Sequence, residues 1–182
     1  MPRLLTLCAL AALLLPACDA TRDTPSTGAA GDREPISSAF LTIGGTRVSI
    51  VGLGDPVISD SLRLVAGAAY TGSVELDGAL DGLIRSEAES HLFAYEFGGA
   101  PSATVTLTDA ESQYASQNLN DGDYPLGRTF RIEVDSAATG VGSMTLRLRH
   151  FEGVAKSVTD GSVGDDDFSV VLPVRYTPLP SE

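Results

Sequence analysis

From Ile36 onward, apolar and polar residues alternate with a period of two. Phe130, Ile132 and Val134 alternate with Arg131, Glu133 and Asp135, and Met144, Leu146, Leu148 and His150 with Thr145, Arg147 and Arg149. Phe168, Val170, Leu172, Val174 and Tyr176 follow the same rule. Successive side chains of a strand point to opposite faces, so this pattern specifies strands with one dry and one wet face. Shorter segments agree: Ala39 to Ile43, Thr46 to Val51, Asp60 to Val65, Tyr70 to Asp77, His91 to Phe97 and Ala103 to Asp109. Gly44-Gly45 between the first two is a hairpin signal. Pro173 has no N–H to give a ladder and calls for an edge position or a bulge. The short link Ala137 to Gly140 suggests that the strands on either side of it pair with each other. Asp81 to Ser90 is the one helical segment, and Glu111 to Leu126 reads as a long polar loop. No βαβ alternation occurs. These features predict an all-β chain over residues 36–178, an immunoglobulin-like antiparallel β-sandwich of about seven to nine strands with one short helical segment. A closed barrel is the competing architecture, and 179–182 form a tail.

The residues before the domain are of another kind. Arg3 precedes an apolar run from Leu4 to Leu15, which ends in Leu15-Pro16-Ala17-Cys18. That run is shorter than the roughly 20 residues of a membrane span and has the length of a signal-peptide core. Small Ala17 before Cys18 suits cleavage between them. Residues 1–17 therefore read as a signal peptide and Cys18 as the lipidated first residue of the mature chain, a pattern that resembles the lipobox of bacterial lipoproteins. A single acyl chain anchors only marginally and two or more hold firmly. Lipoproteins of that class carry two or three, palmitate among them. Residues 18–35 contain almost no large apolar side chain and read as a disordered tether.

Composition narrows the function. The chain has two cysteines, Cys8 and Cys18. One leaves with the signal and the other is consumed by lipid, which excludes disulfides, thiolate catalysis and cysteine-bound metal in the domain. The net charge of −12 becomes more negative by one when Arg3 is removed, so nucleic acid and anionic lipid should be repelled. No Gly-x-Ser-x-Gly elbow, His-Glu-x-x-His or phosphate-binding glycine loop is present. The expectation is a non-enzyme with no required cofactor.

Two groups could hold ions. His91 opens one strand and His150 closes another, each on the parity of its apolar neighbours. If the two strand ends share a rim, both imidazoles reach one site, with Glu87, Glu89 or Asp109 as carboxylate ligands, a mix suited to zinc or a similar divalent ion. The acidic loops are the second candidate: Asn120, Asp121 and Asp123 in one, Asp165 and Asp167 in another, as oxygen ligands for calcium. The spacing does not fit an EF-hand, because Gly122 occupies a ligand position.

Several short stretches carry a resemblance. Tyr70-Thr71-Gly72-Ser73-Val74, Ser86 to His91, Leu107-Thr108-Asp109, Tyr124-Pro125-Leu126-Gly127, Gly142 to His150 and Asp165 to Val170 run in order through the domain. Together they resemble a group of small, uncharacterised bacterial envelope lipoproteins with a loose E-x-x-x-H, T-L-x-L-R-H and D-D-x-x-V pattern. Both histidines fall on histidine positions of that pattern, whereas the loop after Asp109 is longer here. The resemblance implies an outer-membrane lipoprotein, on its periplasmic or surface face, sometimes associated with TonB-dependent receptors. The first functional expectation is thus a lipid-anchored envelope module, binding or accessory, with nutrient uptake as its candidate role. A divalent-metal protein using His91 and His150 is the second, and a structural or adhesion module the third.

Overall fold

In a computed structural model the chain is an all-β sandwich. The structure describes residues 38–52, 57–58, 60–99, 103–114, 123–158 and 162–179. The expected signal peptide, Cys18 and the tether lie outside those residues, as do Asn120 and Asp121. Ten strands are present among the described residues: β1 Ser38–Ile43, β2 Thr46–Val51, β3 Val57–Ile58, β4 Leu62–Val65, β5 Ala69–Leu76, β6 His91–Gly98, β7 Ala103–Leu107, β8 Thr129–Val134, β9 Gly140–His150 and β10 Asp165–Thr177. One sheet has the order β3-β2-β1-β5-β8-β7 and the other β4-β10-β9-β6. All pairings are antiparallel except the parallel β4–β10 pair.

The alternation read from the sequence decides the packing. Leu41, Val48, Val74, Phe130 and Ile132 of the first sheet meet Leu64, Phe93, Met144, Leu146, Leu148 and Leu172 of the second in one core. Tyr95 and Phe130 bridge the two sheets, their rings 4.2 Å apart between centroids. Burying each such side chain contributes about 1.5–3 kcal/mol. The Gly44-Gly45 turn joins β1 to β2 as expected, with both glycines at positive φ.

Two expectations need correction, and a third resolves to one of its alternatives. β8 and β9 do not pair, although only a short link separates them: β8 lies between β5 and β7, and β9 lies in the other sheet between β10 and β6. The link crosses from sheet to sheet, because the dry faces of both strands must turn toward a common core. The helix α1 starts earlier than expected and is shorter, spanning Ala79–Ser86, and a separate 3₁₀ turn covers Ala88–Ser90. Of the two alternatives for Pro173, the structure has the edge position and not the bulge. The proline faces Ser143 on β9, one residue before β4 begins to pair at Val174, in a stretch of β10 that has no partner on its β4 side among the described strands. The bulge in β10 lies between Asp166 and Phe168.

Candidate metal centre

The centre forms where β6 begins, β9 ends and β10 enters the sheet. His91 and His150 are direct cross-strand partners. Their parity is that of Phe93 and Leu148, so both rings turn toward the inner face, at the rim of the core. The rings stack with centroids 4.6 Å apart and planes 10° from parallel. Asp165 pairs with His150, Asp166 with Arg149 and Phe168 with Leu148. Asp167 is therefore the extra residue of the bulge. A bulge re-aims a side chain that strict alternation would send to the opposite face, and it brings the Asp167 carboxylate to 3.8 Å from His91 Nε2. One ligand atom from each of His91, His150 and Asp167 lies within 4.8 Å of the other two.

Hydrogen bonding defines the His91 tautomer. Nδ1 lies 2.9 Å from the carbonyl oxygen of Glu87. A carbonyl only accepts, so Nδ1 carries a proton and donates it; in the neutral ring the lone pair is then on Nε2. That lone pair faces a carboxylate, another acceptor, across a gap suited to a cation. A backbone carbonyl behind a ligating histidine is the usual outer shell of a metal site. Burial pulls the His91 imidazole below its ordinary range, and the proximity of His150 acts in the same direction. The Glu87 carbonyl and the Asp167 charge oppose both. The neutral ring is the form that binds metal.

The loop after His150 shapes the rim. Gly164 has φ +80°, and a Cβ there would stand 2.6 Å from the His150 carbonyl oxygen and about 3.0 Å from the Phe151 ring, so only glycine lets the chain return this closely. Phe151 N–H donates to Ser90 O, which ties the end of β9 to the start of β6. Arg149, expected on the wet face, is buried and donates to Val163 O and Gly164 O.

The other expected ligands lie elsewhere or act differently. Glu87 contributes its carbonyl, and its side chain is exposed. Glu89 lies near the ammonium of Lys156. Asp109 accepts from the backbone N–H groups of Gly127 and Arg128 and from the Tyr114 hydroxyl, at 2.7–2.8 Å. It holds the 123–128 segment against the sheet and does not join the histidines. Of the expected calcium ligands, Asp123 accepts from the Ser112 N–H and hydroxyl, Asp165 is exposed, and Asp167 joins the histidine pair. Sequence parity hid Asp167, because a bulge leaves no mark in an alternating pattern. It also hid Lys156 and Glu111, a fully buried ion pair with an Nζ–Oε1 distance of 2.8 Å, since Lys156 sits in a loop and Glu111 in a single 3₁₀ turn over Glu111–Gln113, where no alternation reports facing.

Among the described residues no helix is long and apolar enough to cross a membrane. Set against known protein families, curated proteins and solved structures, the chain matches none.

Proposed function

We propose that this chain is a lipid-anchored envelope protein that binds one divalent transition-metal ion between His91, His150 and Asp167. The observation that carries the reading is the cluster itself: His91 Nε2 3.8 Å from the Asp167 carboxylate, with a second imidazole whose donor atom lies within 4.8 Å of both. Two imidazoles and one carboxylate suit zinc, copper(II) or nickel. Calcium and magnesium prefer sites made wholly of oxygen. A tetrahedral ion with bonds of about 2.0–2.1 Å needs its donors roughly 3.3 Å apart. The donor atoms, which lie within 4.8 Å of one another, therefore draw together as the ion enters, and three protein ligands leave one position open. The anchor at Cys18 rests on the sequence pattern alone.

Calorimetric titration of the purified lipoprotein in detergent with zinc, copper(II) and calcium tests the proposal. The expected result is one zinc or copper ion per chain at micromolar or tighter affinity and no calcium. Asp167→Asn, which changes a rim side chain, should weaken binding by about 10–100-fold, and His91→Ala/His150→Ala should abolish it. Absence of zinc and copper binding sinks the reading, as does binding that survives the double substitution.

A further inference from the structure

The opposite face of the same strands carries a cleft of about 180 Å³. Its floor is the outer face of the β6–β9 pair, where Ala94 lies beside Arg147 and Glu96 beside Thr145. Leu92 and Val158 supply apolar walls.

Arg147 is the unusual group. Its Nη2 lies 3.8 Å from Glu96 and its Nη1 3.7 Å from Asp166. Charge-assisted hydrogen bonds run at about 2.7–2.9 Å, so these acids neutralise the guanidinium without saturating its donors. Its Nε–H is buried and has no acceptor among the described residues. Buried donors are almost always paired, and one that is not asks for an explanation. Arg149, in the neighbouring position, is held by Val163, Gly164 and Asp166 and serves as wall.

The charges select the ligand class. Arg147, Arg149 and Glu96 line the cleft, and Asp166, outside the lining but 3.6–3.7 Å from both guanidinium groups, offsets the second positive charge, so neither a simple anion nor a simple cation is favoured by the field. A molecule with a carboxylate and an ammonium meets both signs at once. The volume admits one body of amino-acid size, and the apolar walls accept an aliphatic side chain. We infer that this cleft binds a free α-amino acid with an aliphatic side chain, its carboxylate on Arg147 and Thr145 and its ammonium on Glu96. The inference is independent of the metal centre.

Calorimetric titration of the lipoprotein in detergent with L-leucine, isocaproate and isoamylamine tests it. The last two lack the ammonium and the carboxylate respectively. L-leucine should give saturable binding, and each truncated probe should bind at least about tenfold more weakly. Arg147→Gln, whose side chain is 38% exposed in the native residue and whose fold circular dichroism checks, should weaken leucine at least about tenfold. His91→Ala/His150→Ala, if folded, should leave leucine binding intact. No saturable binding of L-leucine up to its solubility limit overturns the inference. So does isocaproate binding as tightly as leucine, or an Arg147→Gln chain that binds leucine unchanged.

Discussion

Asp167 belongs to the metal centre through one residue of extra backbone. Without the bulge it would share the outer face with Ser169 and Val171, and the histidines would face only each other. Gly164 works at the same scale. Gly164→Ala places a methyl group against the His150 carbonyl in a strained backbone conformation and should cost about 1–3 kcal/mol. It should also weaken zinc at least about tenfold, because His150 and Asp167 both move. Urea unfolding and a zinc titration of the same variant check the two effects together. Burial pushes the phenols of Tyr95, Tyr114 and Tyr176 upward; for Tyr95 the charge of Asp109 adds to this, and for Tyr114 the hydrogen bond to Asp109 does. Above the ordinary value of about 10, the folded state keeps protons that the unfolded state has lost. Stability contributed by these groups is fully present below about pH 10 and falls as pH rises beyond it. Urea midpoints measured across that range should turn downward there, with phenolate absorbance rising as the chain unfolds.

At the scale of elements, the irregular segments are held by buried polar contacts. Lys156 Nζ donates to Glu111 Oε1 and to the Ala88 carbonyl, both at 2.8 Å. It thereby joins the segment after β9, the 3₁₀ turn before β6 and the segment after β7. Burial pulls the lysine below its ordinary range, and the Glu111 carboxylate works against that. Removing one member takes the opposite charge from a buried ion, so Lys156→Met should destabilise, by up to about 3–5 kcal/mol. Lys156→Met/Glu111→Leu should recover most of that loss, and chemical denaturation of both variants measures the difference. Equal destabilisation would show that the carbonyl contact dominates. The same 3₁₀ turn leads directly into His91, so the single variant should also loosen zinc.

For the whole molecule, the strongest expectation concerns where it resides. Cys18→Ala should move the protein from the membrane fraction to the soluble fraction and abolish incorporation of labelled palmitate. Retention in the membrane would refute the anchor. The sequence by itself determined the all-β class, the Gly44-Gly45 hairpin and the inward parity of His91 and His150. Each follows from local rules: period-two alternation, positive φ at a two-residue turn, and the face shared by neighbours two apart. It also singled out both histidines as the unusual side chains. Which strands pair was beyond it, as the separation of β8 from β9 demonstrates, because pairing depends on how two dry faces close over one core. Asp167, rather than Asp109 or Glu89, stands beside the histidines for a comparable reason. A bulge shifts parity by one, and only the register of β10 on β9 fixes its position. Lys156 meets Glu111 from residues 45 apart in the chain, a contact with no local signal. The tertiary structure decided these points because each depends on distances between segments that the chain brings together only on folding.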